Sequence, residues 1–427
     1  MKILTTATLT FYFALLTFNS SAQTIGSDTT IQAFNLLPQI NSLQDTTITV
    51  VLPDTSYKYE KILMHYSLNK PPAGWDPWDR IAYVRVFTPT DTFEIGRVMT
   101  PYSKACSWTV DVTDFRSILT DTVNLNSFIL FWASGNKGYL VSISFEFIGG
   151  TPLKEAYKIE NLWGNDAINR WEYGSYLDPI ANHITPKTFI IDSSADSVKI
   201  KVTTTGHGQG NTGNAAEFSN KIHTLRIDST TVISHNLWRS NCGSNPCSPQ
   251  SGTWTYNRAG WCPGADVLPW DVDITPYVIP GDTAIVEYLP QAYQNYCSPS
   301  DSNCVTGVTC SDCNYNSNGH TMPWYLMQSQ VVYYKNLPFT TNVNEFASKE
   351  YFSVYPNPTN GNFIIDLSSL KEENVVVTII DAQGRTVFEK TTNEKTILVN
   401  ISHYAHGIYL VKVQTGNSIM IKKIVKN

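Results

Sequence analysis

Short runs of β-branched and aromatic residues recur along this chain and constrain its fold more than any other feature. No long segment repeats its apolar residues with the period of an amphipathic helix, and Gly, Pro, Asn and Asp separate the runs. No fixed-period repeat appears, which argues against a propeller. We therefore predict an all-β protein built of sandwich or jelly-roll layers. The runs are 46–52, 61–66, 81–87, 127–132, 140–148, 197–203, 223–227, 283–289 and 327–334.

The length of the chain predicts more than one domain. Its 427 residues exceed what a single hydrophobic core normally serves. The turn Gly149-Gly150-Thr151-Pro152 marks the best internal boundary, and the polar stretch 339–349 has the composition of a linker. We expect domains at 23–150, 151–338 and 350–427.

The first 22 residues resemble a secretory signal. Lys2 precedes the apolar stretch 9–16, and Ser20-Ser21-Ala22 offers the small residues after which a signal peptidase cuts. The stretch is too short for a membrane span, and no later segment is long and apolar enough to be one. We expect export, with cleavage after Ala22. The net charge of -6 and the lack of Lys/Arg clusters predict no nucleic-acid partner.

Export changes the interpretation of the eight cysteines. In an oxidising compartment cysteines form disulfides more often than metal sites. The even number permits complete pairing, but the spacing does not fix the partners. The alternative is a zinc site at Cys304, Cys310 and Cys313, which we disfavour because these residues lie among Asn, Ser and Gly without defined ligand pairs. Cys106 stands apart from the other seven, which are Cys242, Cys247, Cys262, Cys297, Cys304, Cys310 and Cys313.

The densest group of reactive side chains is the segment Trp75-Asp76-Pro77-Trp78-Asp79-Arg80, which precedes the strand predicted at 81–87. A carboxylate held between aromatic side chains loses hydration, so its pKa rises toward the range in which a general base works. Indole rings also bind the apolar faces of sugars and other flat ligands. The structural alternative is a corner in which Asp79 caps a turn and Arg80 pairs with it.

Further motifs extend this pattern across most of the chain. Together with the segment 75–80 they resemble the peptide-N-glycosidase F family over residues 46–334. The resemblance implies removal of N-linked glycans from N-glycoproteins or glycopeptides by hydrolysis of the asparagine amide. It also implies two adjacent eight-stranded jelly-roll domains with the site in the cleft between them. We expect a monomer that uses no cofactor. The motifs are EIGRVMTPY at 94–102, VDVTDF at 110–115, GHG at 206–208, AAEF at 215–218, KIH at 221–223 and NRAGWCPG at 257–264.

The resemblance also implies roles for individual side chains. Asp79 falls on the principal catalytic carboxylate of the family, and Glu217 falls on a second acid that positions water and substrate. An amide bonded to a sugar is a poor electrophile, so a carboxylate must activate water while donors stabilise the developing oxyanion. Cys242 and Cys262 fall on a disulfide that holds the loop 257–264. By the same match, substrate contacts fall to Arg258, Trp132, His207, Trp78 and Arg80, with His207 in place of a tryptophan.

Two departures from the family pattern bear on activity. Leu130 stands where the family carries a third acidic residue, and Ala215 and Ser219 replace a cysteine pair around Glu217. Loss of a carboxylate near Asp79 removes a like charge and a hydrogen-bonding group. Because the two other acids and the arginine persist, we predict hydrolysis. The alternative is a secreted glycan-binding protein with weak or no turnover.

Two metal sites are conceivable, and we expect neither. The two-jelly-roll architecture also resembles copper monooxygenases, but no His-x-His or His-His pair appears in the chain. The loop 312–316 alternates oxygen ligands that suit calcium, yet it lacks the glycine and the terminal glutamate of an EF-hand. The histidines considered for copper are His207, His223, His235 and His320, the last of them two residues before Met322.

The segment 350–427 forms a unit of its own. Val354-Tyr355-Pro356-Asn357-Pro358 opens it, a turn forms at 381–385, and a strand at 407–413 precedes a basic end at 422–427. In this order the motifs resemble the C-terminal sorting domains of cargo for type IX secretion in Bacteroidetes. The resemblance implies passage across the outer membrane by that machinery, cleavage of the tail, and release or attachment at the surface. A fibronectin-like spacer is the structural alternative.

Overall fold

A computed structural model of the chain describes residues 24–131, 136–164, 170–175, 178–297, 322–337, 352–370, 374–415 and 418–427. The chain divides into two compact units, Met1–Pro338 and Phe339–Asn427. Several predicted features lie outside the described residues, namely the signal at 1–22, the linker at 339–349, Trp132, Cys304, Cys310, Cys313, the loop 312–316 and His320.

Strands dominate the described residues, and the prediction of an all-β protein is confirmed. Their helical segments are single 3-10 turns between strands, too short to bury a face of their own. None of these helical segments has the length and hydrophobicity that crossing a membrane would take. The turns are Thr113–Phe115, Ile180–Asn182, Thr212–Asn214, Cys242–Ser244 and Thr275–Tyr277.

The first half of the large unit is a sandwich of two sheets. One sheet has the order β1-β4-β9-β2, with β7 also paired to β4, and the other has the order β3-β8-β5-β6. Alternating residues such as Ile62, Met64 and Tyr66 of β4 are buried between the sheets. The strands are β1 (Thr24–Ile25), β2 (Thr29–Ile40), β3 (Asp45–Val51), β4 (Tyr57–Asn69), β5 (Ile81–Phe87), β6 (Thr92–Met99), β7 (Cys106–Asp111), β8 (Thr122–Ile129) and β9 (Gly138–Gly149).

The second half repeats this plan. Its sheets have the orders β10-β18-β13-β16, with β11 also paired to β18, and β12-β17-β14-β15. If the short strands β1 and β11 are set aside, each sandwich has the eight strands of the predicted jelly rolls. The strands are β10 (Lys154–Trp163), β11 (Arg170–Glu172), β12 (Lys187–Ile190), β13 (Ser197–His207), β14 (Lys221–Ile227), β15 (Thr231–Leu237), β16 (Trp270–Asp273), β17 (Thr283–Pro290) and β18 (Trp324–Asn336).

The small unit is a third, separate β-sandwich. A three-stranded sheet β19-β20-β23 and a four-stranded sheet β22-β21-β24-β25 enclose a core that includes Phe363, Val377 and Val411. Asp381 closes the turn between β21 and β22, because its carboxylate accepts the backbone N–H groups of Gln383 and Arg385. The strands are β19 (Ser353–Tyr355), β20 (Asn362–Asp366), β21 (Val375–Ile380), β22 (Thr386–Thr392), β23 (Thr396–Asn400), β24 (Gly407–Thr415) and β25 (Ser418–Lys426).

The two large sandwiches pack on each other through the outer face of the sheet that contains β5, β6 and β8. Arg97 on β6 is buried between them and donates to Thr205 Oγ1 at 2.9 Å and to the main-chain oxygen of Leu326 at 2.8 Å. The backbone N–H of Met99 donates to Ala265 O at 2.9 Å, so main-chain pairing also crosses the interface. An apolar cluster fills the rest, and its buried members are Ile81, Tyr83, Met99, Phe128, Trp261, Val267 and Leu326.

Strand register gathers the ends of distant strands at one end of this interface. In the first sandwich Ile81, at the start of β5, pairs with Met99 at the end of β6. In the second sandwich His207, at the end of β13, pairs with Trp324 at the start of β18. Asp79 and Glu217 lie in loops that flank these strand ends, and Arg258 lies in the connection between β15 and β16, which reaches the same place because the N–H of Gly206 donates to Ala259 O at 3.0 Å.

Candidate active site

Asp79 lies in the loop before β5, with 15% of its side chain exposed. The hydroxyl of Tyr102, which follows β6, donates to Asp79 Oδ2 at 2.8 Å. Arg258 Nη2, from the second sandwich, is 3.7 Å from the same oxygen. The carboxylate is therefore approached by a donor from its own sandwich and a cation from the other one.

Arg258 is held rigidly between two carboxyl groups. Its Nε donates to Glu217 Oε1 at 3.2 Å, and its Nη1 and Nη2 donate to the main-chain oxygens of Tyr256 and Thr253 at 2.7 and 3.0 Å. Its guanidinium lies over the rings of Phe218 and Trp261, with centroid distances of 5.0 and 4.8 Å. With its side chain only 1% exposed, the arginine is a fixed positive charge rather than a mobile one.

Glu217 is the most perturbed acid of the group. Its Oε2 accepts the backbone N–H of Gly208 at 3.0 Å, and Gly208 has a φ of 99°, a conformation that favours glycine. Burial raises the pKa of Glu217 to about 7, and the charge of Asp79 adds to this rise while Arg258 opposes it. Burial also raises the pKa of Asp79, against the opposing effects of Arg258 and the Tyr102 hydroxyl. Arg258 thus contacts both of these largely buried acids. One positive charge does not compensate two carboxylates, so near neutral pH a proton remains available in the site.

His207 forms part of an aromatic wall beside this charge cluster. Its ring stacks on Trp324 at a centroid distance of 4.3 Å and lies 5.1 Å from the ring of Trp261. Burial, together with the charges of Arg97 and Arg258, holds the pKa of His207 well below its usual range. Its Nε2 is 2.9 Å from Thr205 Oγ1. The imidazole is therefore neutral, and because only 7% of the residue is exposed, its ring packs on Trp324 and Trp261 and leaves little surface for the ligand contact that the sequence predicts.

The segment 75–80 divides into a structural part and an exposed part. Arg80 is fully buried and donates to both carboxylate oxygens of Asp76 at 2.9 Å, while Asp76 Oδ1 also accepts the N–H of Trp78. The structural corner thus uses Asp76 as the partner of Arg80, which leaves Asp79 to contact Tyr102 and Arg258. The buried Arg80 side chain offers no surface for the predicted substrate contact. Trp78 is 50% exposed and is therefore accessible to a ligand.

Leu130 presents an apolar surface where the resemblance implies an acid. The residue follows β8, donates its N–H to Ile81 O at 2.9 Å, and packs partly buried on the apolar cluster at the interface. Trp261 and Trp324, both neighbours of His207, pack in that same cluster. Methyl groups therefore extend the aromatic wall here. Trp132, assigned to the same region by the sequence, lies outside the described residues.

Two disulfides lie close to the site. One joins Cys242 to Cys262, the pair that the resemblance implies, and encloses the loop that carries Arg258. The other joins Cys106 to Cys247 across a sequence separation of 141 residues, a pairing that the spacing left open. The sequence analysis also missed the role of Tyr102, although the residue ends one of the motifs. Among the described residues, no group of three or more His, Cys, Asp and Glu is arranged to hold a metal.

Comparison with known proteins agrees with this architecture. Residues 175–304 match the sequence model of the family described as "Peptide-N-glycosidase F, C terminal". The chain is 30% identical over 236 residues to "Peptide-N(4)-(N-acetyl-beta-D-glucosaminyl)asparagine amidase F" of Elizabethkingia miricola. That alignment covers 52% of this chain and 64% of the relative, slightly less than two thirds of its length.

Solved structures extend the similarity in fold. A structure of PNGase F, described as a glycosylasparaginase from Flavobacterium meningosepticum, matches with a TM-score of 0.61 at 24% identity, covering 73% of this chain and 97% of that chain. A structure of PNGF-II matches with a TM-score of 0.54 at 14% identity, covering 72% of this chain and 65% of that chain. At these identities the structures establish a shared fold and nothing more.

The small unit has its own match. Residues 353–427 match the family described as "Secretion system C-terminal sorting domain". The resemblance of this chain to the peptide-N-glycosidase F family is thus confirmed by sequence and by fold, and that of its last unit to C-terminal sorting domains is confirmed by sequence.

Proposed function

We propose that this protein is a secreted amidase that cleaves the bond between asparagine and N-acetylglucosamine in N-glycoproteins or glycopeptides. The products are aspartate in the peptide and the glycan as a glycosylamine. The observation that carries the proposal is the contact of Arg258 with both Asp79 and Glu217, since such a pair of buried acids around one cation suits proton transfer. The 30% identical relative is named for the same reaction class.

The geometry suggests how the two acids divide the work. Asp79 accepts a hydrogen bond from Tyr102 and faces Arg258, and both contacts favour its ionised form. It is the better base, and it takes a proton from the water that attacks the asparagine carbonyl. Glu217, with a pKa of about 7, keeps its proton over much of the neutral range and can return one to the leaving nitrogen. Arg258 balances the negative charge that develops in between.

The walls of the site suit a sugar. The half-exposed indole of Trp78 and the partly exposed Trp324 offer flat apolar surfaces, which bind the apolar face of a pyranose. The buried, neutral His207 stacks on Trp324 and supports its ring without adding charge. This arrangement supports binding of a glycan core beside the scissile amide.

Export belongs to the same proposal. The sorting-domain match supports secretion or surface attachment through the type IX machinery, with the segment 1–22 directing the first step. Substrates would then be glycoproteins outside the cell.

The second candidate is a glycan-binding protein of the same fold with little turnover. Leu130 favours it, because a site that lacks one acid keeps its stacking surfaces but loses a hydrogen-bonding group. Binding of glycans by a folded preparation that releases none would favour this candidate. A large gain in rate in a Leu130→Glu variant would identify this position as the cause.

The test of the main proposal is release of glycan in water enriched in oxygen-18. Folded protein, incubated with high-mannose, complex and core-fucosylated glycopeptides, should give free glycan and a peptide in which asparagine has become aspartate with one heavy oxygen. Asp79→Asn should retain the fold and lose nearly all activity, because the change is almost isosteric but removes the base. No release from any of these glycopeptides would contradict the proposal.

A further inference from the structure

A short segment of the second sandwich crosses onto the first sandwich beside the candidate site. This strap, residues 245–253, connects the 3-10 turn at Cys242–Ser244 to the loop that carries Arg258. Cys247 is 2% exposed and packs in the core cluster of the first sandwich, where it forms the disulfide with Cys106 at the start of β7. The strap is therefore covalently attached to the opposite sandwich.

Lys104 of the first sandwich holds the backbone of the strap. Its Nζ donates to the main-chain oxygens of Cys247, Ser248 and Pro249 at 3.0, 3.1 and 2.9 Å. An ammonium group has three protons, so these bonds use its full donor capacity. The lysine is thus committed to the strap and is not available to a ligand.

The strap then runs along Tyr102. The backbone N–H of Tyr102 donates to Gln250 Oε1 at 3.1 Å. Gly252, at a φ of 78°, lies against the phenol ring so closely that a Cβ atom would meet ring carbons at 2.9 Å. Gly252 satisfies both the left-handed conformation and the close approach, which a larger residue would not. The strap therefore fixes both the backbone and the ring of Tyr102.

At its end the strap contacts Tyr102 and Arg258, the two residues that approach Asp79 from the two sandwiches. Thr253 Oγ1 is 3.2 Å from the hydroxyl of Tyr102, whose own proton goes to Asp79. The Thr253 hydroxyl is consequently the donor in this contact. The main-chain oxygen of Thr253 accepts from Arg258 Nη2 at 3.0 Å. One residue of the strap thus supports the partner of Asp79 and the arginine that faces it.

We propose that the strap positions the active site, and that the Cys106–Cys247 disulfide fixes Thr253 so that Tyr102 and Arg258 are held against Asp79. This inference rests on the proposed amidase function and adds residues to its site that act through their neighbours. The disulfide forms by exchange with a disulfide donor, which takes up two electrons and two protons from the thiols and becomes two thiols. Because disulfides persist in oxidising compartments, the site reaches its working geometry after export.

Loss of the Cys106–Cys247 disulfide should affect turnover more than substrate binding. The rings of His207 and Trp324 stack on each other at the ends of β13 and β18, outside the strap, so we expect substrate affinity to depend little on the strap. A misplaced base slows the reaction strongly, and we expect kcat to fall about tenfold or more, with KM within about twofold. The Tyr102 hydrogen bond lowers the pKa of Asp79, so a looser bond raises this pKa and moves the acid limb of the rate profile to higher pH.

The test compares three variants of the full chain with one matched control. Cys106→Ser/Cys247→Ser removes the disulfide and leaves no free thiol from this pair. Thr253→Val removes the hydroxyl but keeps the main-chain oxygen that binds Arg258, and Thr253→Ser retains the hydroxyl. The control Asn161→Ala removes a hydrogen bond across the same interface, from Asn161 Nδ2 to Thr92 O at 3.0 Å, at the opposite end of the β5–β6 hairpin.

Steady-state kinetics across pH and hydrogen exchange of the backbone distinguish the outcomes. The proposal requires that the double variant and Thr253→Val lose kcat and shift the acid limb upwards, that Thr253→Ser recovers both, and that Asn161→Ala changes neither. Exchange at Tyr102 and at residues 247–253 should also quicken in the double variant. Kinetics and exchange that match those of Asn161→Ala would overturn it. If the wild type releases no glycan, the proposed function fails. Unchanged hydrogen exchange at Tyr102 in the double variant would independently contradict the positioning role of the strap.

Discussion

At the scale of single residues, the candidate site is governed by the ratio of acids to cations. Arg258 is the cation in contact with both Asp79 and Glu217, and burial raises the pKa of each acid. A buried carboxylate without full compensation takes up a proton rather than remain charged. The pair therefore keeps one proton at a pH where isolated carboxyl groups would have lost theirs.

The pH dependence of the reaction follows from this balance. If Glu217 acts in its protonated form, with a pKa of about 7, kcat/KM should decline as pH rises above about 7, and it should decline at low pH as Asp79 becomes protonated. Glu217→Gln keeps a hydrogen-bonding side chain that does not titrate. We expect it to lower kcat/KM at pH 6 by about tenfold or more and to abolish the alkaline decline. A variant profile that still falls above pH 7 would assign the alkaline limb to another group.

Motif order predicts one site that includes Asp79, Glu217 and Arg258, but it does not predict how the side chains around them pair. These three residues are in contact in the structure although they lie up to 179 positions apart. Their spacing gives no sign of this contact, and the prediction rested on the order of the family's motifs. The pairing of Arg80 with Asp76 could not be predicted, since two aspartates flank the same tryptophan in the segment 75–80. Only the turn geometry decides which carboxylate faces inwards.

At the scale of elements, the loop that carries Arg258 depends on its own disulfide. Cys242 and Cys262 close a loop of 20 residues, and a cross-link of this size stabilises a folded protein by roughly 3 kcal/mol through the unfolded chain. Cys242→Ser/Cys262→Ser should lower the unfolding free energy by about that amount in urea titrations. Hydrogen exchange should quicken in residues 257–264 before it does in β4 or β9. Unchanged stability and exchange would show that packing alone holds the loop.

The core of the second sandwich contains a histidine that makes stability depend on pH. His223 is fully buried, lies 2.5 Å from the hydroxyl of Tyr288, and has its pKa lowered to about 3 by burial. Below its ordinary pKa of about 6.5 the unfolded chain binds a proton that the folded protein does not. This residue's share of stability is thus complete above about pH 6.5 and declines as pH falls toward 3, by about 1.4 kcal/mol per pH unit.

A glutamine at this position tests that dependence. His223→Gln keeps a hydrogen-bonding group for Tyr288 but removes the titration. The unfolding free energy of the wild type should therefore fall relative to that of the variant by about 1.4 kcal/mol between pH 6 and pH 5. His403→Gln, at an exposed position of the small unit, is the control and should show no such difference. Parallel pH profiles for the wild type and His223→Gln would contradict the assignment.

Strand predictions succeeded best where β-branched and aromatic residues form an unbroken run. The run 81–87 coincides with β5, whose two faces are buried by the core of the first sandwich and by the apolar cluster at the interface. β2, Thr29–Ile40, was not predicted, because Pro38 and two register shifts against β9 disrupt its period-two pattern. A bulged strand loses the alternation that a sequence pattern detects, although its pairing survives.

At the scale of the whole molecule, the strand topology determines where the candidate site lies. Strand ends from two sandwiches meet at one end of their shared interface, so no contiguous segment contains the site. The pairing of Cys106 with Cys247 illustrates why sequence alone falls short, since a bond across 141 residues leaves no local spacing signal. The order of the motifs predicted the architecture, but the contacts between side chains depend on how the two sandwiches pack.

The small unit offers the last prediction, at the same scale. The chain divides into two compact units, and residues 353–427 enclose their own apolar core, so the first unit does not need the second in order to fold. A chain that ends at Pro338 should match the melting temperature of the large unit and the kcat/KM of the full chain. It should also remain inside a type IX secretion host that exports the full chain. A lower melting temperature after truncation, or export without the small unit, would contradict the independence of the two units or the role of the tail as an address. Mass spectrometry of the exported protein provides a further check, because an intact C-terminus at Asn427 would argue against cleavage of the tail.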